Sequence, residues 1–182
     1  MSSQPFGDTL RVVGIDPGSR LLGWGVVESH GSRLRHIDNG VIVPPVDADL
    51  PSRLLYLHQG VVQVITDYQP NCAAVEDVFL AKNAQSALKL GQARGVALLA
   101  AAVFRLPVFE YAPTSIKRSV VGNGRADKHQ VQQMVRALLG LAETAQEDAS
   151  DALAVAICHC HQLPFERALK NRVRPATNKR TR

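Results

Sequence analysis

Residues 10–16 read LRVVGID and are followed directly by Pro17 and Gly18. This short apolar run, rich in β-branched residues and closed by a proline–glycine turn, predicts a buried strand. Asp16 ends that strand, and functional side chains of α/β sheets collect at such strand ends. Taken alone, an aspartate before Pro-Gly is also ordinary turn chemistry.

The chain beyond this strand alternates strand and helix patterns. Residues 22–29 and 34–43 are predicted strands, and three strands joined so tightly should form an antiparallel meander. A later strand, crossover helix and strand favour parallel pairing of the fourth and fifth strands. We therefore predict an α/β fold, a five-stranded mixed sheet flanked by helices on both faces. The remaining predicted elements are a helix at 52–68 capped by Ser52, a strand at 73–79, a helix at 83–104, a strand at 108–112, and helices at 114–121, 127–139 and 147–163.

The charge of the chain is concentrated at its end. The whole chain of 182 residues carries +5, but residues 166–182 alone hold seven basic residues and one acid. A cationic tail raises affinity for a polyanion such as nucleic acid, and it equally suits a solvated end that aids solubility. We expect residues 1–8 to be a disordered lead, 9–165 to form one domain and 166–182 to be a flexible basic tail.

Composition also bears on the location of the protein. The longest apolar run, residues 96–104, is too short to cross a bilayer, and the N-terminus shows no secretory pattern. The cysteines are odd in number and lack framework spacing, which favours reduced thiols. A cytoplasmic protein without a membrane partner is expected.

Glu76 and Asp77 interrupt an apolar strand. A carboxylate inside a central strand is costly to bury unless it is paired or bound to a cation. Successive strand residues point to opposite faces, so only one of the two acids can face a given site. Glu76 is the better candidate because Val75 and Asp77 would then share the other face, although the pattern alone leaves this open. An edge strand with both acids in water is the alternative.

Asp148 and Asp151 are three residues apart at the start of the last predicted helix. That spacing places both carboxylates on one helical face. Helix capping by Asp148, with Asp151 favouring the helix dipole, explains the same pair. Together with Asp16 and Glu76, however, they would form an oxygen-lined site suited to hard divalent cations. Two such ions could hold the attacking water and the leaving oxygen of a phosphodiester.

Three segments resemble a known family. Residues 14–27 (GIDPGSRLLGWGVV), 75–97 (VEDVFLAKNAQSALKLGQARGVA) and 147–161 (EDASDALAVAICHCH) are similar to the RuvC family of bacterial Holliday-junction resolvases. The resemblance spans about residues 10–163. It implies an RNase H-like nuclease domain at 9–165 that acts as a homodimer and makes two symmetric, metal-dependent nicks in four-way junction DNA during homologous recombination and DNA repair.

The resemblance also implies roles for individual residues. Asp16, Glu76, Asp148 and Asp151 match the catalytic acids, which would bind two Mg²⁺ ions per subunit, with Mn²⁺ as a substitute. Phe79 matches an aromatic residue that stacks on bases near the junction centre. Lys117 and Lys128 match lysines needed for activity or DNA contact. Association with the RuvA–RuvB branch-migration complex is implied as well.

Basic residues near a glycine-rich loop suggest where DNA binds. Lys117, Arg118, Arg125 and Lys128 lie within twelve residues, around Gly122 and Gly124, and fit a phosphate-contact surface or, equally, a solvated helix–loop–helix. Lys117 could also stabilise charge that develops during cleavage. Lys82 beside Phe79 suits stacking plus phosphate contact, and core packing of Phe79 is the alternative.

Two other functional classes compete with a nuclease. A structure-specific DNA-binding module without catalysis would use the same aromatic and basic residues. An actin-like ATPase would use residues 16–19 (DPGS) as a phosphate loop, but the chain lacks its second Asp-x-Gly loop. A zinc site at residues 158–161 (CHCH) is rejected, because adjacent helical residues point to different faces.

Overall fold

The structure is a computed structural model that describes residues 9–18, 20–77 and 84–173, the last ten of these as backbone only. It contains a five-stranded sheet in the order β3-β2-β1-β4-β5. β1 pairs with β2, and β2 with β3, in antiparallel fashion, whereas β1–β4 and β4–β5 are parallel. The predicted meander and parallel pair are thus confirmed. The strands are β1 (Thr9–Pro17), β2 (Leu22–His30), β3 (Arg33–Ile42), β4 (Cys72–Glu76) and β5 (Val108–Tyr111).

Helices cover both faces of the sheet, which confirms the predicted α/β architecture. One apolar core lies between the sheet and α1 with α2, and the other lies between the sheet and α3, α4 and α5. Alternate strand residues feed the two cores: Val12 enters the α5 side, whereas Val13 enters the α1 side. The helices are α1 (Leu50–Tyr68), α2 (Ala84–Val103), α3 (Pro113–Val121), α4 (Lys128–Leu139) and α5 (Glu147–Val173).

Two helix ends differ from the sequence-based expectation. α1 begins at Leu50, and its cap is Asp49, whose carboxylate accepts the backbone N–H of Ser52 at 2.9 Å. α5 continues past Pro164 to Val173, where the sequence predicted a flexible tail from residue 166. α5 therefore continues through Pro164, although a proline inside a helix ordinarily removes one hydrogen bond and clashes with the preceding turn. Among the described helices, none combines the length and apolar character needed to span a bilayer.

Candidate active site

The parallel pair β1–β4 brings two acids to one edge of the sheet. Ile15 pairs with Val75 in the register, so Asp16 and Glu76 are the next residues on neighbouring strands. Ile15 and Val75 are buried against α1 and α2. By strand alternation, Asp16 and Glu76 therefore face α5.

Asp77 belongs to the opposite face of the sheet. Its carboxylate lies 3.5 Å from the guanidinium of Arg94, which projects from α2 and also pairs with Glu110. The choice between Glu76 and Asp77 that the sequence left open is thus decided by the sheet. Glu76 shares a face with Asp16, and Asp77 takes part in an ion-pair cluster on the other side.

Glycines in β1 and β2 let α5 lie directly on the sheet. A Cβ atom on Gly23 would stand 2.1 Å from the carbonyl oxygen of Asp148, and one on Gly14 would stand 2.0 Å from that of Ala152. Any side chain at either position would push the helix away. Gly23 pairs with Asp16 in the β1–β2 register, so this close approach sets the start of α5 beside Asp16. The sequence pattern did not indicate this close contact, although Gly14 and Gly23 lie within the first two predicted strands.

Gln146 caps α5, so neither Asp148 nor Asp151 is needed as the helix cap. The Oε1 atom of Gln146 accepts the backbone N–H groups of Asp148 at 2.9 Å and of Ala149 at 3.2 Å. Asp148 therefore does not cap the helix. The alternative interpretation, in which Asp148 is the cap, is wrong. Its carboxylate instead accepts a hydrogen bond from the Gln146 amide at 2.9 Å.

The four acids act on one another electrostatically. Burial, followed by the charge of Glu76 and a hydrogen bond with it, and then the charges of Asp151 and Asp148, raises the pKa of Asp16 far above its ordinary value. Burial and the charge of Asp151 likewise raise the pKa of Glu76, against the opposing effects of a hydrogen bond from Asp16 and of nearby lysines. Burial is the main reason that the pKa of Asp151 is raised. The end of β1, the end of β4 and the start of α5 thus bring these acids within range of one another's charges.

Two lysines complete the cluster. Lys117 of α3 and Lys128 of α4 line a cavity of about 160 Å³ together with Glu76 and Asp151. The Lys128 ammonium lies 2.9 Å from Asp151 Oδ2 and also pairs with Glu147. Burial lowers the pKa of Lys128, but hydrogen bonds to Glu147 and Asp151 raise it by more. The net effect is a raised pKa, so the lysine remains charged. A cation therefore already sits against one of the carboxylates.

The other predicted DNA-contact residues divide into two groups. Arg118 and Arg125 line a separate cavity of about 500 Å³ around Gly122 and Gly124, so they do not join the acids directly. α3 thus presents Lys117 to the acidic cavity and Arg118 to the adjoining one. Phe79 and Lys82 lie outside the described residues.

Within the described ranges, no three His, Cys, Asp or Glu side chains stand ready-arranged around a metal-ion position. Cys158, His159 and Cys160 are buried in the core, where the ring of His159 lies 2.7 Å from the Tyr111 hydroxyl. The carboxylates of the acidic cluster are neighbours, but Asp151 is paired with Lys128, so the cluster is not in the arrangement that a bound ion needs.

Comparisons with known proteins point to one family. The model of the family described as crossover junction endodeoxyribonuclease RuvC matches residues 12–159. A protein of that name from Citrifermentans bemidjiense is 57% identical over 160 residues, covering 88% of this chain and 98% of the relative. Another, from Syntrophotalea carbinolica, is 59% identical over 152 residues, covering 84% and 94%.

Solved structures give the same result. T. thermophilus RuvC in complex with a Holliday junction substrate has a TM-score of 0.82 at 33% identity, covering 86% of this chain and 96% of that one. The yeast mitochondrial Holliday junction resolvase, at 14% identity and a TM-score of 0.66, covers 93% of this chain and 86% of its own, and shares the fold.

Proposed function

The chain belongs to the RuvC family of crossover junction endodeoxyribonucleases, and we propose on that premise that its four-acid cluster cleaves the backbone of four-way DNA junctions. It is an endonuclease that resolves Holliday junctions in homologous recombination and DNA repair. The observation that carries the assignment of the site is that Asp16, Glu76, Asp148 and Asp151 come together from three separate elements. Burial, and then the charges of the other three acids, raise the pKa of Asp16.

The chemistry of these four residues fits divalent cations. Four carboxylates crowded at one sheet edge repel one another, and hard oxygen ligands are what Mg²⁺ and Mn²⁺ prefer. The ammonium group of Lys128, paired with Asp151, supplies one positive charge where a cation would be expected. We assign Asp16, Glu76, Asp148 and Asp151 as ligands of two Mg²⁺ ions per subunit, with Mn²⁺ as a substitute. Bound there, the ions would supply positive charge to the phosphate oxygens and ease deprotonation of water.

The lysines have distinct tasks in this proposal. Lys117, on the wall of the acidic cavity, is placed to orient the scissile phosphate and to stabilise charge that develops on it. Lys128 pairs with Asp151, and with ions held by the acids it would be available to contact the DNA backbone. Arg118 and Arg125, in the adjoining cavity, would hold phosphates further along the strand.

Assembly and location complete the proposal. The junction has two-fold symmetry, which a homodimer with one site per subunit would match. Leu88, Leu99 and Val103 of α2 are exposed apolar side chains in the described part of the chain, and a second copy could bury them. We retain as proposals base stacking by Phe79 with Lys82 beside it, electrostatic attraction of DNA by a basic tail at 166–182, association with RuvA–RuvB, and a cytoplasmic location.

A synthetic four-way junction tests the assignment of the site. Wild-type protein should make paired symmetric nicks with Mg²⁺ and none with EDTA. Asp16→Asn, Glu76→Gln, Asp148→Asn and Asp151→Asn should each reduce nicking by at least about 100-fold, while junction binding in EDTA is retained. Amides keep the shape and remove a charge from a crowded site, so folding should survive.

Binding without nicking in the wild type would instead favour the non-catalytic DNA-binding module. Wild-type nicking rates in the four amide variants would place the reaction elsewhere in the molecule. ATP hydrolysis in the absence of DNA would favour the actin-like alternative.

A further inference from the structure

A second basic cavity lies on the side of the sheet away from α5. It has a volume of about 310 Å³. Three of its lining residues are cationic, Arg20, Arg53 and Lys89, and none of the eight described residues that line it is acidic. The other five are small or apolar: Ala48, Leu50, Leu54, Leu57 and Ala93. The cavity therefore combines three positive charges with an apolar floor.

The topology places this cavity at the same edge of the sheet as the four acids. Arg20 lies in the turn that follows β1, four residues after Asp16. β3 runs parallel to β1, because both are antiparallel to β2. The start of α1 after β3, like the start of α2 after β4, therefore lies at the edge where β1 ends. Lys117 and Lys128 border this edge on the α5 side, and the second cavity borders it on the α1–α2 side.

The three cations come from three different elements. Arg53 Nη2 donates to the backbone carbonyl of Arg20 at 3.4 Å, which links the first turn of α1 to the β1–β2 turn. Within the described part of the chain, neither Arg20 nor Lys89 forms an ion pair with an acid. Like charges gathered around one cavity are unfavourable unless an anion joins them, and guanidinium groups match phosphate geometry.

We propose that this cavity binds a backbone phosphate of a junction arm, on the opposite side of the catalytic edge from Lys117 and Lys128. The proposal rests on the proposed function, because it takes DNA as the polyanion that crosses this edge. The arginines and Lys89 would contact the phosphate oxygens, and Leu54, which is half-buried, would lie against the sugar. DNA would then be held on both flanks of the acidic cluster, which fixes the direction in which the strand crosses it.

The salt dependence of junction binding tests this proposal. Binding of a labelled four-way junction is measured by fluorescence anisotropy in EDTA at several salt concentrations between about 50 and 200 mM. The logarithm of the association constant falls linearly with the logarithm of the salt concentration. Each lost phosphate contact makes this negative slope shallower by about 0.9. Lys89→Gln and Arg53→Gln should each weaken binding and reduce the magnitude of the slope, by at most about 0.9 because both cations act on the same phosphate. Lys89 is exposed on α2, so its variant should fold even if that of Arg53 does not.

Arg33→Gln is the matched control. Arg33 is exposed at the start of β3, at the opposite end of the strands from Asp16, and its loss lowers the net charge equally. Its slope should stay at the wild-type value. A slope for Lys89→Gln that equals that of Arg33→Gln would overturn the proposal.

Two further measurements separate the possible failures. Nicking by wild-type protein with Mg²⁺ tests the proposed function independently, since the slope is measured without metal. Calorimetric titration with pyrophosphate tests for a small free anion. Suppose that Lys89→Gln abolishes pyrophosphate binding but leaves the salt slope of junction binding unchanged. The cavity would then bind a small anion, and the assignment to a DNA backbone phosphate would be refuted.

Discussion

Replacing Gly23 with alanine should displace Asp148 without changing its carboxylate, so it tests whether the position of this acid matters for cleavage. The added Cβ would stand 2.1 Å from the carbonyl oxygen of Asp148 and 2.5 Å from its carbonyl carbon, whereas ordinary contact begins at 3.4 Å. Both groups are constrained, one in the middle of the sheet and the other in the first turn of α5. The start of α5 must therefore move away from β2 by roughly 1 Å, and a displacement of that size at a catalytic centre lowers rates by about 100-fold.

The same substitution has a calculable effect on stability. Overpacking costs about 1–3 kcal/mol, partly offset by about 0.5–1 kcal/mol because alanine has less freedom than glycine in the unfolded chain. For a chain of this size, each kcal/mol lowers Tm by about 2–4 °C. We expect Gly23→Ala to fold, to melt a few degrees lower, and to bind the junction in EDTA nearly as well as wild type.

Gly60→Ala provides the matched comparison. Its Cβ would stand 2.7 Å from side-chain carbons of Ile42 on the α1 face, so it should also lose stability without moving α5. Single-turnover nicking with saturating protein and Mg²⁺ measures the difference. Nicking should be about 100-fold slower in Gly23→Ala and near wild type in Gly60→Ala. Equal nicking rates in the two variants would refute the view that the close contact at Gly23 positions Asp148.

Two other predictions concern the scaffold. Hydrogen bonds from Arg35 and Arg11 lower the pKa of Glu28, so its stabilising effect is present above the ordinary glutamate pKa and is lost as pH falls through the lowered value. Glu28→Gln should therefore cost about 1 kcal/mol at pH 7 and nothing at pH 2 in urea unfolding, and a pH-independent difference would contradict the ion-pair explanation. Asp127 forms a capping box with Gln130 at the start of α4. Asp127→Ala should lower the free energy of unfolding by about 1 kcal/mol, whereas Asp127→Asn should lose less, and equal losses would exclude the cap as the cause.

Element types, the antiparallel meander and the parallel β4–β5 pair could be predicted from the sequence because they follow from local pattern and short connections. The parallel pairing of β1 with β4, which brings Asp16 beside Glu76, was not predicted. The apolar, β-branched run before Asp16 and the turn residues that follow it are readable from neighbouring residues alone. The least accurate predictions were helix ends, since Ser52 and Asp49 both suit a cap and only the backbone geometry selects Asp49. Pro164 suggested an end to α5, but the helix continues through it to Val173.

The acids illustrate the limit of local pattern. Asp16, Glu76, Asp148 and Asp151 each had an ordinary explanation, and the sequence favoured a site only when the four were taken together. It left open whether Glu76 or Asp77 faced the site, because alternation fixes that two neighbours differ but not which face the core assigns to each. The β1–β4 register and the Asp77–Arg94 ion pair decided it.

The sequence by itself determined the kind of residues available: strands of the right length, four carboxylates at element ends and a set of cations. Only the tertiary structure decided which of them meet. Gly23 leaves space for the backbone of Asp148, Lys128 pairs with Asp151, and Arg20 lines one cavity with Lys89. Each of these pairs joins different elements of the fold. Van der Waals contact and charge interaction act over a few ångströms in space, whatever the separation along the chain, and so they become visible only once the chain is folded.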